Sequence, residues 1–407
     1  MNDKKNYKHQ EYFMPTTRYA IVQGNFWMSF CIIFSYASVY LLSKGFKSSQ
    51  IGMIIAAAGL ISAVLQPIVA DIADRAKLIS LRQIIASFSV VMMILAGVLL
   101  VPKLHMIVIA FVYAGLVAVL QIITPLVNAA GMEWINKGVP VNFGVARGTG
   151  SLLFAAISYI AGVAVSKFST DVIPVLVVLF YILLFVAILT FHFYGVEVNE
   201  NKSFEQISAV EVQEDSTSGI IRFFRRYQKF GVLLIGITIC FASHNILNNF
   251  MFQIVANQGG SSAQMGTAMA IAAAIELPTM VLFSYVILKI KSSSLLVVSG
   301  IFFTIKSLLT FLAGSMIGIY AAQFSQALGF ALFVPASVYY VNHLMSEKDK
   351  VKGQAYMTVT NTVGSIAGSL LGGILIDYAG VSNMLLASTI IAFIGAIIIF
   401  FGVEKRT

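Results

Sequence analysis

Glu276 is the one acid or base in the run Met265–Leu288, MGTAMAIAAAIELPTMVLFSYVIL, which is long enough to cross a bilayer. A charge at the centre of such a run costs about 2.5–3.5 kcal/mol on insertion scales, so it has a partner and a task. A carboxylate there can exchange a proton or accept hydrogen bonds from a polar solute; the plain alternative is a protonated acid bridging two helices. Lys306, in the apolar run after Gly300, is its natural partner, for proton coupling or as a structural ion pair. Arg147 follows Phe143-Gly144-Val145-Ala146. Its planar fork can hold a hydroxyl pair or a carboxylate in two hydrogen bonds, or its long stem can carry the charge out to the membrane surface. His244 and Asn248 are four apart and share a helix face, as do Asn245 and Asn249. Such side chains line a cavity or bond between helices. Further polar positions inside apolar runs are Gln121 and Asn128, Gln323 and Gln326, and Asn361 and Ser365. Trp27, Tyr36, Tyr40 and Phe154 offer aromatic faces, for a sugar ring, an aromatic solute or ordinary packing.

Several kinds of chemistry find no residues to carry them. There is no G-x-x-x-x-G-K-[ST] loop, no H-E-x-x-H and no clustered Cys or His. We therefore expect no cofactor, no metal and no enzymatic activity. Cys31 and Cys240 both fall in apolar runs and imply no disulfide. The net charge of +9 is spread over short connections, which points to membrane topology rather than nucleic acid.

The elements that must position these residues are membrane helices. The chain is 58% hydrophobic and 11% charged, against about 25% charged in soluble domains. Twelve spans are expected, near 20–43, 50–71, 82–102, 105–133, 145–166, 172–194, 230–256, 262–288, 294–312, 315–343, 353–375 and 381–403. With both termini in the cytoplasm, 20 Lys and Arg fall on the cytoplasmic side and 4 outside. This orients a multi-pass protein of the cytoplasmic membrane. The polar start of the chain has no apolar core of a signal peptide. Residues 196–229 form the one long polar stretch, an acidic linker ending in a short amphipathic helix, GIIRFFRRYQKF. It separates an N-terminal bundle, 1–195, from a C-terminal bundle, 230–407. Pro67 and Pro125 are 58 apart, Pro278 and Pro335 are 57 apart, and Glu133 precedes Gly150 by the interval at which Glu347 precedes Gly364. Two six-helix repeats facing a central site are the expected architecture.

These residues resemble the major facilitator superfamily, and within it the oligosaccharide:proton symporters of the lactose permease type and the related phenylpropionate permeases. The resemblance covers nearly the whole chain. Asn25-Phe26-Trp27-Met28 resembles the opening of the family's first helix. Gln66-Pro67 followed by Asp74-Arg75 resembles the superfamily's signature loop, with Ala70 in place of its usual Gly. The resemblance assigns Asp74 and Arg75 to conformational gating. It places Asn128 where the family has a sugar-contacting Glu, Arg147 on an essential sugar-binding Arg, and Phe154 where a Trp stacks on the sugar. Glu276 matches the acidic residue that serves sugar binding and coupling, Thr279 a sugar-binding Asn, and Lys306 an Arg of proton coupling. Gln326 and Gly329 stand where the family's coupling His and Glu occur, and Asn248 and Gln323 where it pairs an Asp with a Lys.

The expected protein is an all-α transporter, monomeric, moving a small polar solute by alternating access with a proton as coupling ion. A sugar or oligosaccharide would meet Asn128, Arg147, Phe154, His244, Asn248, Glu276, Thr279 and Gln326. An aromatic carboxylate, a nucleoside or an exported drug or metabolite are the alternatives. A facilitative channel or a sensor are readings of a different class.

Overall fold

Lipid offers backbone N–H and C=O groups no partner, so the apolar runs must close their own hydrogen bonds as helices. The computed structural model describes residues 2–75, 79–192 and 217–404, with side chains except at 2–13, 74–75, 217–220 and 347. The helices are α1 (Asn2–Phe30), α2 (Ala37–Ser43), α3 (Ser48–Arg75), α4 (Leu81–Val98), α5 (Met106–Asn136), α6 (Phe143–Lys167) and α7 (Val172–Thr190). Then follow α8 (Thr217–Arg226), α9 (Gln228–Asn249), α10 (Met251–Asn257), α11 (Ser262–Val286), α12 (Ser292–Leu312), α13 (Met316–Gln323), α14 (Phe330–Leu344) and α15 (Glu347–Gly402).

Among the described residues ten stretches are long and apolar enough to cross a membrane, and the α1–α2 pair, bent by 45° at its break, is an eleventh. Gly380, at φ 81° and ψ 169°, divides α15 into two arms. Only glycine takes that backbone conformation without strain, so the long helix turns back there. Eleven plus the extra arm gives the expected twelve crossings. Local signals in the sequence set several starts. Ser80 and Gln83 form a capping box at α4, and the Asn142 side chain accepts from Val145 N–H at α6.

Two spans depart from continuous helices. Cys31–Ser35 forms a buried turn of π-helix between α1 and α2. The expected tenth span breaks into α13, a 3-10 turn at Phe324–Gln326, and α14. Gly329, at φ −83° and ψ −99°, is the break point. Its carbonyl accepts both the Phe333 N–H at 3.1 Å and the Ser299 hydroxyl at 2.8 Å, which ties the break to α12.

The chain forms two units, one of Met1–Tyr40 with Ala57–Ala209 and one of Leu41–Ala56 with Val210–Thr407. The second unit thus takes in the start of α3, beyond the 230–407 expected from sequence. There the Asp377 carboxylate accepts the Ser48 and Ser49 N–H groups at 3.1 and 2.8 Å. A Cβ at Gly368 would lie 2.4 Å from the Ala242 carbonyl oxygen, and one at Gly395 2.7 Å from Cys240 Sγ. Glycine lets α9 and α15 approach backbone to backbone, as membrane helices do when packing rather than hydrophobicity joins them. The amphipathic α8 packs Phe223 and Phe224 against Tyr356 at ring distances of 5.2 and 5.0 Å. Its aromatic face is therefore seated on the protein. The acidic part of the linker, 196–216, lies outside the described residues.

Candidate functional site

In the first unit the polar side chains converge from α1, α5 and α6. Tyr19, Gln23 and Trp27 repeat every four residues along one face of α1. Gln23, wholly buried, donates to the Tyr19 hydroxyl at 2.6 Å and to Asn128 Oδ1 at 3.1 Å. The Tyr19 hydroxyl donates onward to the Val127 carbonyl at 3.1 Å. Trp27 Nε1–H donates to Gln23 Oε1 at 2.9 Å. The Arg147 guanidinium lies 3.8 Å from the centre of the Trp27 ring, and its N–H donates to the Ser151 hydroxyl at 2.9 Å. A guanidinium over an indole face is a cation–π contact, about 0.5–2 kcal/mol depending on desolvation. The half-buried Arg147 thus points inward, against Trp27, rather than running out to the membrane surface.

Two glycines make room for this arrangement. A Cβ at Gly150 would fall 2.6 Å from Trp27 Cδ1, and one at Gly131 would fall 2.2 Å from the Tyr19 ring. Phe154, half-buried, stands two turns from Arg147 on the same helix. Gln121 accepts the Ser62 hydroxyl at 2.8 Å and ties α3 to α5 instead of joining Asn128. Asp74 and Arg75, the expected gating residues, have side chains outside those described.

In the second unit Glu276 and Lys306 are joined through a third residue. Lys306, on α12 and 2% exposed, donates to Gln326 Oε1 at 2.7 Å. Gln326 Nε2 donates in turn to the Glu276 carboxylate on α11 at 2.8 Å. Gln326 lies in the 3-10 turn that interrupts the tenth span, so the break aims its amide sideways between the two neighbouring helices. The direct partnership expected from sequence is replaced by an amide bridge. Thr279 stands half-buried three residues after Glu276.

The four polar residues of α9 divide between two tasks. Asn248 pairs with His244 Nε2 at 2.8 Å, and the His244 ring stacks on Phe330 at 5.2 Å and 4°. Phe303 meets the same ring edge-on at 5.3 Å. On the other face, Asn245 donates to Asn361 at 3.4 Å and Asn249 to the Ser369 hydroxyl at 2.8 Å. Those two are interhelical fasteners to α15. Gln323 is wholly buried, with its side-chain oxygen unpartnered among the described residues, as is His244 Nδ1. Gln253 is 7% exposed and both its amide atoms lack a partner there. Buried polar atoms left unsatisfied are costly, and a polar solute or water can supply what they lack.

Sequence reasoning passed over Tyr19, Gln23 and Gln253. The signal for the first two was present: polar side chains at four-residue spacing leading to Trp27 where α1 turns apolar.

The arrangement sits in a fold with known counterparts. A point mutant of the nucleoside transporter NupG superposes with a TM-score of 0.77 at 14% identity, over 95% of this chain and 98% of that one. A point mutant of the peptide transporter POT gives 0.71 at 12% identity, over 95% and 94%. A POT family transporter in complex with a thioalcohol-conjugated peptide gives 0.67 at 12%, over 95% of both chains. At these identities the likeness is one of fold. No curated protein matches the sequence. The family model described as MFS_1 like family matches residues 18–387.

Proposed function

The chain belongs to the MFS_1 like family, and from that premise we propose that this major facilitator transporter imports a small polar solute across the cytoplasmic membrane together with a proton. The observation that carries the reading is the bridge Lys306–Gln326–Glu276 within a broken membrane helix. Discontinuous helices and intramembrane ionisable residues mark substrate and ion sites in secondary transporters.

The bridge suggests how proton and solute become linked. Gln326 can satisfy both ends only when Glu276 accepts and Lys306 donates, because one end of an amide donates and the other accepts. A protonated Glu276 has an O–H to place, and turning the amide to accept it would aim the Gln326 amino group at the Lys306 ammonium. If the amide stays as it is, the remaining acceptor oxygen still takes its N–H, but without the charge the bond is weaker, so protonation of Glu276 loosens the bridge to Lys306. Any solute that pairs with either end shifts proton affinity, and by linkage the proton shifts solute affinity equally. Alternating access then carries the bound solute across the membrane.

The solute is a neutral compound rich in hydroxyl or amide groups, a sugar, oligosaccharide or nucleoside. Arg147 and Asn128 in the first unit, and separately His244, Asn248, Thr279 and Gln326 in the second, offer both donors and acceptors. Trp27 and Phe154 offer ring faces. The likeness to NupG is a reason to put nucleosides in the first screen. The Lys and Arg distribution supports cytoplasmic termini, with Asp74 and Arg75 near a cytoplasmic gate. An aromatic carboxylate is the second reading, because Arg147 and Lys306 together outnumber Glu276.

Proteoliposome uptake with and without an imposed proton gradient tests the proposal. Accumulation of a neutral solute above equilibrium, only with the gradient, is the expected result. Uptake that stops at equilibrium under every gradient points to a facilitator. Competition by simple carboxylates but not by glycosides or nucleosides points to the second reading.

A further inference from the structure

We propose that the junction of α11 and α12 binds the phosphate headgroup of an anionic phospholipid. A cavity of about 420 Å³ opens there, lined by Leu288, Lys289, Lys291, Ser292 and His343 with neighbouring isoleucines. It lies wholly within the second unit and apart from Glu276 and its partners.

Three independent features point to an anion. The first turn of any helix presents N–H groups without intrahelical partners at the positive end of the dipole. At α12 the capping position is Lys291, which supplies no side-chain acceptor to them. Second, Ser292 lines the cavity, is 2% exposed, and its hydroxyl has no partner among the described residues. A buried hydroxyl without a partner is costly, and a phosphate oxygen would accept from it. Third, among the described residues the lining carries two lysines and a histidine and no acid.

The surroundings favour a lipid as the source of that phosphate. Leu288 is 82% exposed and Tyr285 is 69% exposed beside the basic groups, which leaves an apolar flank for acyl chains. The Lys and Arg distribution assigns this connection to the cytoplasmic leaflet, where anionic lipids concentrate and each nearby cation adds attraction. A groove of about 410 Å³ in the first unit, lined by Ile79, Gln83, Ala86, Ser87, Val90 and Leu189 among others, has no basic lining residue among the described residues. It serves as the internal control. Because α11 carries Glu276 and α12 carries Lys306, a headgroup at their junction would hold the base of both helices.

Native mass spectrometry of the full chain, purified with phosphatidylglycerol or phosphatidylcholine, tests the site. Wild type should retain phosphatidylglycerol preferentially. Lys289→Ala with Lys291→Ala should cut retention about tenfold or more, given the attraction of each surface cation to anionic lipid. Ser292→Ala should also lower it, while Gln83→Ala with Ser87→Ala should not. Melting in phosphatidylcholine alone verifies folding, and Ser292→Cys is the second variant should Ser292→Ala prove unstable. Unchanged retention in both the lysine and the serine variants overturns the site. Loss in the lysine variant with none in the serine variants also overturns it, by reducing it to general surface attraction. Displacement of the lipid by micromolar inorganic phosphate overturns the lipid assignment in favour of a soluble ligand.

Discussion

Gln326 Nε2 stands 2.8 Å from the Glu276 carboxylate, donating from a break in one membrane helix to the middle of another. The same amide accepts Lys306 at 2.7 Å, so a side chain that cannot titrate separates the two that can. Removing it should take a hydrogen bond from each. Gln326→Leu takes the acceptor from a buried ammonium, and leaving a buried polar group unsatisfied costs about 1–3 kcal/mol, more for a charged one. The melting temperature should fall, and adding Lys306→Met should recover part of the loss. A cycle over Gln326→Leu, Lys306→Met and the double variant should show a coupling of about 0.5–3 kcal/mol. Additive losses would mean that the bridge has no energetic unity.

Coupling should fail separately from solute binding. Glu276→Gln keeps the size and the hydrogen-bonding capacity of the side chain but cannot exchange a proton. Solute exchange between equal concentrations on the two sides should persist in this variant. Proton-driven accumulation should vanish, and the exchange rate should lose its dependence on pH. Accumulation at the wild-type level in Glu276→Gln would remove Glu276 from the coupling path.

Arg147 should not be replaceable by lysine. Lysine keeps the charge and loses the flat fork that lies on Trp27 and reaches Ser151. We expect about tenfold weaker apparent affinity in Arg147→Lys, in line with a cation–π contact of about 1–2 kcal/mol. The chain has two tryptophans, Trp27 and Trp134. In Trp134→Phe, the emission of Trp27 alone should change on solute addition, and Arg147→Lys should blunt that change. A silent Trp27 across solutes that are transported would place the binding site elsewhere.

Gly150 should tolerate no side chain. Its Cβ would meet Trp27 Cδ1 at 2.6 Å, whereas Gly148 has open space around the same position. Overpacking of this kind costs about 1–3 kcal/mol. Gly150→Ala should lower the melting temperature and weaken solute affinity together, because it displaces the indole under Arg147. Gly148→Ala should do neither. Equal behaviour of the two variants would mean that the Trp27 position is not tightly held.

The Asp377 carboxylate should matter as an acceptor for the start of α3. It takes the Ser48 and Ser49 N–H groups across 329 and 328 residues of sequence. Replacing an N-cap acceptor by alanine costs about 0.5–2 kcal/mol, while asparagine keeps an acceptor oxygen. Asp377→Ala should speed hydrogen exchange at Ser48–Gln50, and Asp377→Asn, with one acceptor oxygen in place of two, should restore protection only in part. Identical exchange in the wild type and both variants would show that the contact does not hold the helix end.

The sequence by itself determined the membrane class, the twelve crossings and the places of the charges inside them. Lipid forces each apolar run into a helix whatever its neighbours are, so that property is local and legible. Charge inside such a run is expensive, so Arg147, Glu276 and Lys306 announced themselves singly. Only the tertiary structure decided what each one touches. Gln326 lies 50 residues from Glu276 and 20 from Lys306, and Gln23 lies 105 from Asn128. Which of several polar side chains meets another depends on helix rotation, on the break at Gly329 and on glycines that let helices close up. A hydropathy pattern carries the length of a helix but not the rotational setting of its packing, and in a bilayer both faces of a helix can be apolar. Asn245 and Asn248 show the consequence: three positions apart on one helix, one fastens α9 to α15 and the other holds His244.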